Sequence, residues 1–557
     1  MIAGRAGRPM REGMNRLRLL AGFAAAALAL AGPLHASDFE TAHWTVIAGA
    51  RPLPEKELTG VLEGQYEAWK TKTGAGTGAK LKLQVCFDRT AFHALPHREG
   101  RTARIDGTLF LLWDPAWASA LSMAGPAHFL ETAYPALSTR NDVPPWVTGG
   151  LSLYLAGVRG LDGNAMADPL VGQCVHAAQT MIRAGEWTSL ERSLKLEGRD
   201  YEARRRLVDL QGWAVFYAAF TTSGVEGAAA VPSLLADLEA GKKADEAIAA
   251  FHKALGAASP VALEKIVRDP LSKLKVESKT REEEEWWVGE TVHYAIRVQK
   301  GANNRKTRAT DRQILEDLKS RMELVFEKYS TAFRFQGFLA ERATLRLYKD
   351  RAAYQAAGSA RDTAAGYSPA SRELVAYEDS AEEGKVFQVL CHEGCHQFFD
   401  LAFPGFYDTD AIPMWFSEGL ADGFGASELR GKELHVFTLG GTASWRIDEI
   451  KNGVQQGRTA PLRTLLDLGR EPFMKNADLN YAQSWSFVHF LWNSPGLESG
   501  RGQYSEIVLR LIDGFKAGKP RDQVYKEAFQ LKGKPVSVDD LEVEWKAYVR
   551  TLKARGK

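Results

Sequence analysis

The feature that most restricts what this chain can fold into is a repeat. Laid on itself, the sequence matches at a spacing of roughly 270 residues, far longer than a solenoid unit. The stretch from His396 to Pro404 answers His128 to Pro135 with one residue skipped, and Pro413 to Leu420 answers Pro144 to Leu151 without a gap. Further on, Gln483 and Trp485 answer Gln211 and Trp213, and Gly518 answers Gly241. The offset grows from 268 at His128/His396 to 269 at Trp146/Trp415, 272 at Trp213/Trp485 and 277 at Gly241/Gly518, as small loop insertions between matched elements would produce. Chance recurrence of aromatic and small residues on amphipathic helices would not keep that order. The expectation is one helix-rich α+β fold used twice in tandem.

A chain of 557 residues also exceeds what one ordinary core supports. The join falls in the charge-rich stretch 273–285, read as a solvated linker, which leaves 37–272 and 286–557 as the two domains. Each half reads as a leading helix, a short mixed sheet and a mainly helical remainder. Residues 81–87 and 343–348 are the matched strands, and 374–377 is a further strand just before the motif described below.

With 45% apolar and 25% charged residues and a net charge of +2, the composition is globular and offers no basic field for nucleic acid. The N-terminus reads as an export signal. Five arginines, from Arg5 to Arg18, precede an apolar run from Leu19 to Ala31, and a small-residue site ends at Ala36, so residues 1–36 form a signal peptide and the mature protein is periplasmic or secreted. An uncleaved anchor is the alternative, and membrane association is expected only through these residues. An exported chain can oxidise its cysteines; Cys86 with Cys174 is the one pairing considered, while Cys391 and Cys395, four apart on a helix, read as small buried thiols. Oligomeric state is not legible.

Residues 392–396 read His-Glu-Gly-Cys-His inside an apolar-periodic stretch, which predicts a helix. At that spacing both imidazoles project from one face, suiting two corners of a zinc tetrahedron, while Glu393 can reach a metal-bound water. A catalytic zinc needs a third protein ligand. Downstream, Pro413 suits a helix start, Glu418 follows it, and Asp422 lies four residues beyond on the same face, placed to orient a ligand imidazole.

His-Glu-x-x-His followed by Trp-x-x-Glu-Gly-x-Ala-Asp resembles the gluzincin branch of the peptidase MA superfamily, over roughly residues 340–500. The resemblance implies a zincin-like domain, here in two tandem copies, and one zinc per chain held by His392, His396 and Glu418. It also implies Asp422 as partner of a ligand, Glu393 as general base, and a downstream Tyr that polarises the scissile carbonyl, for which Tyr481 is chosen. The Gly-x-Met-Glu-Asn signature of the branch's aminopeptidases is missing, so an endopeptidase acting on peptide or protein substrates is expected. The alternative is an exported zinc-binding scaffold without appreciable turnover. His489 reads as a core residue.

In the first half, Ala124, Gly125, Gly149, Leu153 and Asp209 fall opposite His392, Glu393, Glu418, Asp422 and Tyr481, and only His396 keeps a counterpart, His128. One imidazole does not hold zinc. Residues 37–272 are therefore expected to be a non-catalytic, degenerate copy.

Overall fold

The computed structural model describes residues 38–553, apart from 50, 89–90, 93–94, 96–97, 100–101, 114–116, 159–168, 277, 305–306, 336, 359–362, 379–384, 404–411, 440–442 and 494–501. The export signal expected at 1–36 lies outside the described residues, as does Pro404. Among the described residues, no helix is long and apolar enough to cross a membrane.

The architecture is helix-rich α+β. A first sheet has the order β1 (Phe39–Glu40), β2 (Trp44–Ile47), β3 (Leu81–Cys86), β6 (Thr108–Leu112), β5 (Thr102–Ile105), β4 (Arg98–Glu99). Helix α1 (Glu55–Thr73) connects β2 to its parallel neighbour β3. After the sheet come α2 (Trp117–Ala133), α3 (Pro145–Ala156), α4 (Pro169–Ala184), α5 (Leu190–Ser193), α6 (Gly198–Thr221), α7 (Gly224–Glu239), α8 (Ala244–Ala254) and α9 (Pro260–Lys273).

The second sheet has the order β11 (Ala365–Ser368), β12 (Glu373–Tyr377), β10 (Ala343–Tyr348), β9 (Tyr294–Gln299), β8 (Trp286–Glu290), β7 (Lys279–Glu282). Helix α10 (Asp311–Ala332), opened by a capping box between Thr310 and Gln313, joins β9 to parallel β10, and α11 (Arg351–Ala356) follows β10. The remainder is helical: α12 (Lys385–Ala402), α13 (Met414–Gly425), α14 (Ala443–Gln455), α15 (Leu462–Asp467), α16 (Ala477–Asn493), α17 (Ser505–Lys516), α18 (Arg521–Ala528) and α19 (Val538–Thr551).

Two features depart from the sequence reading. In each half a strand pair, β1–β2 or β8–β9, precedes the first long helix, where a leading helix was expected. The charged stretch is also more than a linker. Lys279–Glu282 is an edge strand on β8, and Glu283 pairs with Arg281 and with Arg297 at 2.9 Å. Polar alternation on an edge strand resembles a solvated loop in sequence, because only one of its faces is covered.

Period-two burial along β9 and most of β10 sets the inner face of the second sheet. Tyr294, Ile296 and Val298 of β9 and Ala343, Leu345 and Leu347 of β10 face inward under α10 and α12, joining Met322, Phe326, Phe398 and Trp415 in one core. A separate core gathers Trp44, Trp69, Phe129, Trp146 and Trp213 from the first half. Truncating any of these tryptophans to Ala would cost about 3–5 kcal/mol. The halves meet through a two-way amide contact, Gln173 Nε2 to the Leu339 carbonyl at 2.9 Å and the Leu339 N–H to Gln173 Oε1 at 2.8 Å. All four cysteines, Cys86 and Cys174 included, are free, buried thiols.

Candidate metal centre

Helix α12 forms where the apolar period predicted it, and its inner face is Leu390, Cys391, Cys395, Phe398 and Phe399. Its register is set by close approach. The Tyr329 hydroxyl donates to the Cys391 carbonyl, and a Cβ on Gly394 would stand 3.0 Å from that same hydroxyl. The next helix, α13, starts after Pro413, which caps it with extended backbone. It crosses α16 closely, and a Cβ on Gly419 would lie 2.7 Å from the Ser484 carbonyl oxygen. Glycine at 419 therefore lets Glu418, one residue earlier, reach α12.

Nε2 of His392 and Nε2 of His396 each lie 3.5 Å from Oε2 of Glu418. Ligand atoms of these three residues fall within 4.8 Å of one another, and among the described residues this is the one group of His, Cys, Asp or Glu that converges in this way. The donor set fits zinc. Three donors at zinc's bond lengths of about 2.0–2.2 Å on a tetrahedron are separated by roughly 3.4 Å, close to the two separations found. Two imidazoles and a carboxylate are also one of the ligand sets that leave a coordination position open.

The electrostatics follow from burial and proximity. Burial works to lower the His392 imidazole, but the Asp422 and Glu418 carboxylates outweigh it and hold the group well above its ordinary pKa. Burial works to raise Glu418, and the two imidazoles more than reverse that, so its carboxyl sits well below the usual range. Nδ1 of His392 is 3.0 Å from Asp422 Oδ1, where the carboxylate fixes the ring and directs Nε2 toward Glu418. The Ser417 hydroxyl is 3.5 Å from Nδ1 of His396.

Glu393 does not join the three. Its Oε2 accepts the backbone N–H of Tyr367 at 3.0 Å, on edge strand β11, which holds the carboxylate beside the cluster. Tyr481 lies inside α16, one turn from its start. Its phenol is raised above its ordinary pKa by burial first and then by the charges of Glu418 and Asp422. His489 is buried, with Nδ1 2.8 Å from the Tyr548 hydroxyl, and is a packing residue as expected.

Arg446 is the residue that sequence reasoning missed. Its Nη2 stands 2.9 Å from Asp422 Oδ2 and its guanidinium lies 4.9 Å over the Tyr481 ring, so it ties the orienting carboxylate to the phenol. No motif marks it. Tyr367 was likewise invisible, since its part is played by a backbone N–H.

A family model described as "Protein of unknown function (DUF1570)" matches residues 387–497, a span that takes in His392, Glu393, His396, Glu418, Asp422, Arg446 and Tyr481. No curated protein matches the chain.

Proposed function

We propose that the chain is an exported zinc-dependent metallopeptidase of the gluzincin type, an endopeptidase whose active half is residues 286–557 and whose first half is a degenerate copy. The observation that carries the reading is the convergence of His392, His396 and Glu418 with Asp422 behind His392 and Glu393 alongside. The Asp422 partner matters because a second carboxylate on the far nitrogen of a histidine is what a ligand needs and a packing histidine does not.

Zinc held there supplies a Lewis acid and lowers the pKa of water toward 7. Glu393, with one carboxylate oxygen committed to the Tyr367 N–H, uses the other to take the proton of the attacking water and later returns it to the leaving amine. Tyr481, stacked under Arg446, keeps its proton and donates a hydrogen bond from its phenolic O–H to the oxyanion that develops on the scissile carbonyl. Strand β11 is the outermost of its sheet and runs beside Glu393, a place where an extended peptide can be held.

The duplication is supported by the two sheets. Strands β1-β2-β3-β6-β5 and β8-β9-β10-β12-β11 share one sequence of pairings: antiparallel, parallel, parallel, antiparallel. At the same corner of each, His43 Nδ1 meets Glu63 Oε2 at 2.5 Å and His293 Nδ1 meets Glu323 Oε2 at 2.7 Å. Each glutamate also accepts the backbone N–H of its histidine and a hydroxyl, from Thr41 or Thr291. Where the active half has Glu418, the first half has Gly149, and a Cβ there would stand 2.1 Å from Asp209 Oδ1, so the residue opposite Tyr481 fills the place of the ligand carboxylate.

The deciding experiment is Glu393→Gln, which keeps shape and removes the proton acceptor. Zinc stays bound while hydrolysis of an unfolded protein falls by a factor on the order of 10² to 10⁴. A wild type that binds zinc and cleaves no denatured protein, with a variant equal to it, makes the chain a zinc-bound scaffold instead.

A further inference from the structure

The first half carries a cavity of about 560 Å³, lined by Trp146, Leu190, Leu194, Ile248, His252 and Leu263 among others, at the start of α3, α5, α8 and α9. Its size falls within the range of small-molecule sites. A ring of charged side chains, Asp142, Glu191, Lys195 and Lys243 among them, surrounds an interior that is mostly apolar.

The sibling half says what belongs there. In α18, Tyr525 is the fifth residue after the capping Pro520. Its hydroxyl receives the Trp415 Nε1–H at 3.1 Å and donates to the Leu466 carbonyl at 2.6 Å. Trp415 is the second residue after Pro413, and Leu466 the fifth after Pro461. Counting from the matching caps Pro144, Ser189 and Lys243 gives Trp146, Leu194 and Ile248 in the first half. The tryptophan and the leucine are retained, and both line the cavity. The phenol is not: Ile248 stands at the position of Tyr525, too short to reach across. His252, stacked on Trp146 with ring centroids 6.1 Å apart, adds a buried Nε2 without a hydrogen-bond partner among the described residues.

We propose that this cavity is a binding site for a phenolic ring from outside the chain, which takes the place that Tyr525 fills in the other half, with its hydroxyl between Trp146 Nε1 and the Leu194 carbonyl. The inference rests on the duplicated reading of the two halves but not on zinc or on hydrolysis. A phenol satisfies both groups at once, because a hydroxyl accepts and donates where a plain aromatic ring does neither. A free phenol and a tyrosine side chain of a peptide present the same chemistry.

The experiment is ligand-observed NMR with isothermal titration of the full-length protein against p-cresol, toluene and N-acetyl-L-tyrosinamide. Wild type saturates with p-cresol and binds toluene at least about tenfold more weakly, the loss expected when buried polar groups lose their partner. Tighter binding of the tyrosine amide than of p-cresol marks a peptide as the source, and the reverse marks a free phenol. Ile248→Tyr supplies an internal phenol and weakens p-cresol binding by at least about tenfold, with zinc content and hydrolysis unchanged. Ala249→Trp blocks the mouth from an exposed position and does the same, so a misfolded first variant does not end the test. Saturable binding that neither variant weakens, equal binding of toluene and p-cresol, or no binding of any probe overturns the site. Hydrolysis without p-cresol binding removes the site and leaves the peptidase reading intact; p-cresol binding in a chain that cleaves nothing does the opposite.

Discussion

Nδ1 of His392 lies 3.0 Å from Oδ1 of Asp422, and Nη2 of Arg446 lies 2.9 Å from the other oxygen of the same carboxylate. One buried side chain thus faces a candidate ligand on one side and a guanidinium on the other. The relay holds the imidazole in the orientation that meets Glu418, and it extends through Arg446 to the face of Tyr481.

That relay makes Asp422 a positioning residue with a measurable effect on metal affinity. Asp422→Ala is expected to weaken zinc binding by about 10- to 100-fold without removing a ligand, as read by competition with a chromophoric chelator. Unchanged affinity would detach Asp422 from the site.

Metal content separates the two halves. Wild type should carry about one zinc per chain, and His392→Ala, His396→Ala or Glu418→Ala should each abolish it, since a catalytic site rests on three protein ligands. His128→Ala should leave it unchanged, because His128 is 2% exposed in the other core, opposite glycine and leucine where ligand and partner would stand. Loss of the zinc in the His128 variant would sink the degenerate-copy reading.

Tyr481→Phe tests the oxyanion donor. Turnover is expected to fall by roughly 10²- to 10³-fold, about 3–4 kcal/mol of transition-state stabilisation, while KM and zinc content barely change. Unaltered turnover moves the role elsewhere, and not to His489, which is committed to Tyr548.

Acid sensitivity has a source outside the metal centre. Burial first, and then the nearby Arg104 charge, lower His128 from 6.5 to about 4, so at pH 5 the unfolded chain binds a proton there that the folded chain does not. The resulting stability is present above pH 6.5 and is lost as pH falls toward 4, by about 3 kcal/mol. Urea midpoints of wild type and His128→Leu at pH 7.5 and 4.5 check this, because contributions common to both cancel. An equally steep loss in the variant would assign the effect to other groups.

The residues of the centre were legible in sequence wherever geometry follows from chain spacing. His392 and His396 share a face because four residues make about one turn, and Glu418 and Asp422 share one for the same reason, with Pro413 marking where that helix starts. The residues on which the repeat was read, Trp146/Trp415 and Gln211/Gln483, are buried in both halves. The short strands ahead of each long helix were not legible, since four to six alternating residues carry a weak signal.

What the sequence alone determined is therefore the chemistry available: two imidazoles and two carboxylates at helical spacing in one half, and a first half that keeps only His128 of them. Tertiary structure alone decided which groups meet them. Arg446 reaches Asp422 from another helix, the Tyr367 N–H holds Glu393 from an edge strand, and Tyr525 closes in one half a space that Ile248 leaves open in the other. These contacts join residues far apart in the chain, and their partners are fixed by how whole helices and strands pack rather than by any local pattern.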